Sequence, residues 1–247
     1  MATVSQTRDE TETARTLVLD VPGWTGHLPG QHVAVKLIAA DGYTAQRDYS
    51  IASAPEPGRL EITVQRVDDG EVSAYLAGIA RPGDQFELRG PIGGWFAWQP
   101  GDPRAVLLLA GGSGIVPLMS IIRTHAQVKS KAPLQLIYSA RTPADLIYAD
   151  ELRERTRASP VTVATFLYTR LTRYRGTPAT AANDVKIGQV PGYAGRLSPE
   201  VLAKTAFPPE LTPAVFACGP SGFVETASTL LTKAGYPPET IKTERFG

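Results

Sequence analysis

The rhythm of hydrophobic and polar positions changes once along this chain, near residue 100. Before that point, short segments of β-branched and apolar residues alternate with turn signals. Residues 16–21, 32–38, 60–67 and 85–89 are predicted strands. Pro22-Gly23, Leu28-Pro29-Gly30, Asp41-Gly42, Pro57-Gly58, Asp69-Gly70 and Arg81-Pro82-Gly83 are the turns that punctuate this region. Many short strands at regular spacing predict an antiparallel barrel, with one short helix at 72–76. Gln99-Pro100-Gly101-Asp102-Pro103 suits neither ladder nor helix and marks a boundary.

Beyond the boundary, strand and helix alternate. Residues 105–110 form an unbroken apolar run, as a strand covered on both faces requires. A glycine turn and a helix over 117–128 follow, then a strand at 134–139 and a helix over 143–158 with acids and arginines interleaved. Strands are predicted at 161–168 and 214–218. Phe223, Ala227, Leu230 and Leu231 fall at helical spacing, with Gly235 as the stop and residues 240–246 closing the sheet. Such alternation means a parallel sheet with right-handed crossovers. Residues 172–197 are polar and glycine-rich and read as a long functional loop. The fold class is therefore two-domain: an antiparallel β-barrel over 1–101, then an α/β parallel-sheet domain over 102–247.

Composition changes this picture mainly by exclusion. The 247 residues are 43% hydrophobic and 20% charged, as in ordinary globular domains. A formal net charge of +1 gives no reason to expect nucleic acid as a partner. No apolar run approaches the roughly 20 residues that span a bilayer. The polar start lacks the apolar core of a signal peptide, so a cytoplasmic protein without membrane insertion is expected. A single cysteine, Cys218, excludes an intramolecular disulfide and a cysteine-held iron–sulfur cluster in this chain. His27, His32 and His125 are scattered; no metal site is expected, and they read as surface or turn histidines. Trp24, Trp95 and Trp98 read as barrel packing.

Two segments carry chemistry. Arg47-Asp48-Tyr49-Ser50 offers a cation, a ring and a hydroxyl within four residues. Arginine's fork suits a diphosphate, tyrosine a flavin face, and serine a flavin nitrogen. The plain alternative is a solvated arginine on an ordinary strand. Gly111-Gly112-Ser113-Gly114-Ile115-Val116-Pro117 follows a buried strand and opens a helix, so its amides and the positive helix end face any anion placed there. Pro117 fits a first helical turn, and the plain alternative for the segment is a tight strand-to-helix turn with no ligand. Cys218-Gly219-Pro220 likewise ends an apolar strand before a helix, which puts both glycine turns at the carboxyl edge of one sheet. The plain reading of Cys218 is a buried small hydrophobe. Arg141, just past the second strand in Ser139-Ala140-Arg141-Thr142, suits a 2′-phosphate, and Arg173 offers a second cation; the plain alternative for each is a surface arginine paired with a neighbouring carboxylate.

Taken in order, these pieces resemble the ferredoxin–NADP⁺ reductase superfamily. Arg47, Tyr49 and Ser50 match its Arg-x-Tyr-Ser flavin signature. Asp69-Gly70-Glu71-Val72-Ser73 is similar to its second phosphate-contacting loop, and Gly90-Pro91-Ile92-Gly93 to the turn closing its barrel. Residues 111–117 match its Gly-Gly-x-Gly-x-x-Pro motif, and Cys218-Gly219-Pro220 its turn beside the nicotinamide. The resemblance implies FAD (with FMN as the alternative) in the barrel and NADPH, or NADH, in the second domain. It implies a cofactor-binding set of Arg47, Asp48, Tyr49, Ser50, Val64, Arg66, Gly70, Val72, Ser73, Gly112, Ser113, Gly114, Pro117, Ser139, Arg141, Arg173, Cys218, Gly219, Pro220 and Phe246. Ser50 and Cys218 are its catalytic candidates, with Ser50 at the reactive flavin nitrogen and Cys218 near the hydride path. Hydride passes from NAD(P)H to FAD, and electrons go on to a separate acceptor: a ferredoxin, a Rieske protein or a haem protein. Larger relatives carry an attached plant-type iron–sulfur domain, for which this chain has no cysteines. A free-flavin reductase and a non-catalytic nucleotide-sensing or scaffold module are the alternative functions.

Overall fold

The computed structural model describes residues 1–38, 41–171 and 192–246. It divides into two compact units. The first comprises Met1–Gly101 with Val116–Ser130; the second comprises Asp102–Ile115 with Lys131–Gly247.

The first unit is built on six antiparallel strands: β1 (Ala2–Asp9), β2 (Ala14–Asp20), β3 (His32–Ile38), β4 (Thr44–Ser50), β5 (Arg59–Gln65) and β6 (Gln85–Ile92), in spatial order β4-β3-β6-β1-β2-β5. Just past β4, Ile51 bridges Ile62 of β5, which joins the two ends of the sheet into a barrel. Alternate positions point inward, and Leu17, Leu19, Val33, Val35, Leu60, Ile62 and Phe86 make one core. Each such side chain contributes roughly 1.5–3 kcal/mol by its burial. Two of the strands, β1 and β4, are not announced by the sequence. Polar residues dominate both, and β4 leaves most of its length exposed. Helix α1 (Glu71–Ala74) follows β5 and continues as a wider turn through Tyr75–Ile79. Helix α2 (Ile115–Gln127) also packs with this unit, although its chain lies between strands of the other.

The second unit is a six-stranded parallel sheet. Its strands are β7 (Val106–Gly111), β8 (Leu134–Ala140), β9 (Thr162–Tyr168), β10 (Gly192–Ala194), β11 (Ala214–Pro220) and β12 (Ile241–Phe246), in order β10-β9-β8-β7-β11-β12. The chain winds outward from β7 to β10 and then restarts at β11 on β7's other side. Strands β7 and β11 therefore flank the switch point, where a parallel sheet opens a crevice at its carboxyl edge. Both β7 and β8 are buried along their whole length. Helix α4 (Pro199–Thr205) begins at Ser198, whose hydroxyl accepts from the Val201 amide at 3.3 Å. Helix α5 (Ser221–Lys233) follows β11.

Several expectations are corrected. The helix expected over 143–158 is broken: a single turn at Pro143–Asp145 precedes α3 (Ala149–Ala158). Thr142 and Asp145 cap that turn reciprocally, and Tyr148 has left-handed backbone at φ 60°, so the helix cannot continue through it. The expected loop over 172–197 holds β10 at its end; residues 172–191 lie outside the described residues. His27 and His125 are buried rather than at the surface, at 8% and 3% exposure. Their rings lie 6.0 Å from Trp24 and 5.9 Å from Trp98, which removes water from both. Trp24 and Trp98 are packed inside, whereas Trp95 is 62% exposed and is no part of a barrel core. Among the described residues no helix is long and apolar enough to cross a membrane.

Candidate flavin and nucleotide sites

In the first unit the signature residues lie along β4, against β3. Val33 opposes Tyr49, Val35 opposes Arg47, and His32 opposes Ser50. Tyr49 is half-buried against the barrel core, and burial pushes its phenol up to about 12, so it stays neutral at physiological pH. Ser50 is buried. Arg47 and Asp48 are exposed. The Arg47 guanidinium donates to the carbonyl of Gln46 at 2.7 Å, and no acid pairs with it among the described residues.

Strand β5 leads to the second loop. Val64 is fully buried; Arg66 is exposed. The loop is locked by Ser73, whose hydroxyl donates to the carbonyl of Gly70 at 3.1 Å and accepts from the Val67 amide at 3.2 Å. A Cβ on Gly70 would stand 2.4 Å from that hydroxyl, which is why glycine occupies the position. Val72 is buried. Tyr43, at the approach to β4, donates to Glu71 at 3.0 Å and ties the loop to the strand.

In the second unit, the carboxyl edge gathers most of the remaining candidates. After β7, Gly112–Gly114 forms a tight turn that runs directly into α2, a helix of 13 residues whose first turn includes Pro117. Gly112 has φ 54° and open space beyond its Cα. Gly114 is different: an added Cβ would lie 2.1 Å from the carbonyl oxygen of Cys218. The two glycine turns thus meet backbone to backbone. A Cβ on Gly111 would strike Phe223 at 2.7 Å, and one on Gly219 would strike the Gly111 carbonyl at 2.9 Å. Ser139 pairs with Gly111, and Pro220 pairs with Phe246, so both join this edge. Ser113 is half-exposed. Arg141 follows β8 and is exposed, with no acidic partner among the described residues. Arg173 lies outside the described residues.

Cys218 is fully buried, between Ala110 of β7 and Glu244 of β12. Burial, then the nearby Glu244, pushes its thiol well above the ordinary range, so it is no thiolate nucleophile. The thiol lies 3.9 Å from the Glu244 carboxyl, as a weak donor. Burial raises the Glu244 carboxyl to about 7, and that thiol contact partly offsets the rise. Of the terminal strand, sequence reasoning singled out Phe246 and not Glu244; the pairing of Glu244 with Cys218 in the neighbouring strand reveals it. Among the described residues no group of three or more histidines, cysteines or acids is placed to hold a metal.

The chain matches two protein families in tandem: the oxidoreductase FAD-binding domain over residues 1–96 and the oxidoreductase NAD-binding domain over 108–229. It is 32% identical over 207 residues to ferredoxin–NADP reductase B of Sorangium cellulosum, covering 83% of this chain and 80% of that protein. The chain belongs to the ferredoxin–NADP⁺ reductase superfamily. Within it, the chain is also 31% identical to the reductase subunit of glycine betaine monooxygenase from Chromohalobacter salexigens, over 89% of this chain. That match takes in 56% of the longer protein, so the chain spans about half the length of such a relative. Among solved structures, a ferredoxin NADP⁺ reductase from Neisseria gonorrhoeae with bound FAD and NADP superposes with a TM-score of 0.77 at 23% identity. It covers 99% of this chain and 97% of its own, a likeness of fold. An antiparallel barrel followed by a parallel sheet with helices is the two-domain arrangement of this superfamily. The residues present suit both cofactors: an arginine with no acidic partner among the described residues beside a half-buried ring on β4, and a glycine-flanked turn that opens α2.

Proposed function

We propose that this chain is a reductase that takes hydride from NAD(P)H onto bound FAD and delivers electrons to a separate redox protein. FAD is assigned to residues 1–101 and the pyridine nucleotide to 102–247. The observation that carries the reading is the pair of glycine turns meeting at the β7–β11 switch point, in a chain whose first 96 residues match an FAD-binding domain. When bound, the two cofactors supply the hydride and electron chemistry themselves.

The chain's residues bind, orient and exclude water. Arg47 and Arg66 are assigned to flavin phosphates, with Val72 and Ser73 offering first-turn amides and Gly70 making the turn that precedes them. Asp48 and the backbone of Val64 line the same strands. Tyr49 is assigned to the isoalloxazine face and Ser50 to its reactive nitrogen. Gly112, Ser113, Gly114 and Pro117 hold the nucleotide diphosphate. Cys218, Gly219, Pro220 and Phe246 shape the nicotinamide end, where buried Cys218 acts by packing and as a neutral thiol. Ser139, Arg141 and Arg173 take the adenosine end. NADPH is the preferred donor because Arg141 is exposed and has no acidic partner among the described residues.

The acceptor class is a ferredoxin, a Rieske protein or a haem protein. Its support is a relative named as the reductase subunit of a monooxygenase and another named as a ferredoxin reductase. Cytoplasmic residence is part of this proposal. An absorbance spectrum of purified protein, followed by anaerobic titration with NADPH and NADH, tests it. We expect a flavin spectrum that bleaches stoichiometrically with NADPH. Protein that stays colourless when supplied with FAD, or a flavin that neither nucleotide bleaches, would falsify the reading.

A further inference from the structure

Directly after Ser50, the stretch Ile51-Ala52-Ser53 has its polar backbone held from several elements. The Ile51 amide donates to Gln31 at 2.9 Å, and the Ala52 amide donates to Glu61 at 2.7 Å. The Ser53 hydroxyl accepts from the Glu61 amide at 3.1 Å. The two carbonyls are held from helix α2. The guanidinium of Arg123 donates to the Ala52 carbonyl at 3.0 Å, and the Ser120 hydroxyl donates to the Ser53 carbonyl at 2.6 Å. His27 adds a ring N–H to the same Ser53 carbonyl at 3.1 Å. The two α2 donors are 67 and 71 residues away in sequence, so the joint depends on long-range packing.

The charge on Arg123 is matched where it sits. The same nitrogen that reaches Ala52 lies 2.9 Å from Glu61, with the side chains 10% and 21% exposed. Glu61 also accepts from Arg8 at 3.4 Å. A sheltered guanidinium bridging a carbonyl and a carboxylate has little freedom, and it passes that restriction to the segment it holds.

We propose that Arg123 and Ser120 are positioning residues for flavin reduction: they hold the carbonyls of Ala52 and Ser53 and thereby fix Ser50 against the flavin nitrogen. This rests on the function proposed above. A hydroxyl meant to meet one ring atom must be held to a fraction of an ångström, and a polar tether two residues away supplies that restraint.

The test uses full-length, FAD-loaded protein and anaerobic stopped-flow reduction by saturating NADPH. Ser120→Ala and Arg123→Gln are each expected to lower the limiting rate about 5–10-fold. FAD content and the nucleotide KM stay unchanged. Arg123→Lys, which keeps the charge but loses the planar fork, recovers part of the rate. The decisive readout is a double-mutant cycle: Ser50→Ala with Arg123→Gln should be no slower than Ser50→Ala alone, because both act through one hydroxyl. Should Arg123→Gln fail to fold, Ser120→Ala with Ser50→Ala carries the same cycle. An unchanged limiting rate accompanied by a lower Tm would reduce both residues to structural supports and overturn the inference, as would strictly additive losses. Wild-type protein that neither nucleotide reduces sinks the functional reading itself, and this inference with it.

Discussion

At the scale of single residues, Glu244 and Arg141 make the sharpest claims. Burial holds the Glu244 carboxyl near 7 against an unfolded value of 4.5. Between those two values the folded chain binds more protons than the unfolded one, so stability falls as pH rises through this window. The raised value means that the neutral acid is what the fold prefers. At most about 3 kcal/mol is involved, from the shift at about 1.4 kcal/mol per unit. Glu244→Gln should flatten the pH dependence of Tm between 4.5 and 7; a curve as steep as wild type would show that another group titrates. Arg141 is argued by the absence of an acidic partner among the described residues. Arg141→Ala should raise the KM for NADPH roughly tenfold, the size of one lost charge-assisted contact. The KM for NADH should scarcely move. Equal changes for the two donors would remove the 2′-phosphate assignment.

At the scale of elements, the glycine turns show why local sequence reads well in one half and poorly in the other. Strand β7 is an unbroken apolar run, β8 and β11 are mostly apolar, and the turn after β7 is written in consecutive residues, so period and composition suffice. Strand β4 pairs with its neighbour β3 but carries too few apolar residues to show a period, and the burial of His27 and His125 comes from tertiary packing that composition does not reveal. The break over residues 146–148 is hidden for a different reason: an extended Leu146 and a left-handed Tyr148 interrupt the helix without any glycine or proline to mark them. The glycines themselves are unequal. Gly114→Ala would set a methyl group against the backbone of Cys218 and Gly219, none of which is a flexible side-chain end. A loss of about 3 kcal/mol is expected, readable as a Tm lower by roughly 6–12 °C. Gly112→Ala meets open space and strains only its φ, so about 1 kcal/mol is expected there. A thermal melt in which the two variants behave alike would contradict the close approach of the turns.

At the scale of the whole molecule, neither unit is a simple stretch of chain. The first needs Val116–Ser130 as well as Met1–Gly101, and the tether from Ser120 and Arg123 explains what that helix contributes. A chain ending after Gly101 loses all of that helix's packing and not the tether alone, and is expected to retain FAD poorly through gel filtration, judged by the ratio of flavin to protein absorbance. Retention equal to the full chain would mean that α2 is dispensable for the barrel. The fate of Cys218 has a practical side as well. It is the chain's one sulfhydryl and has no accessible surface. Alkylating reagents can reach it only when the parallel sheet opens, so the labelling rate is a built-in clock for that opening.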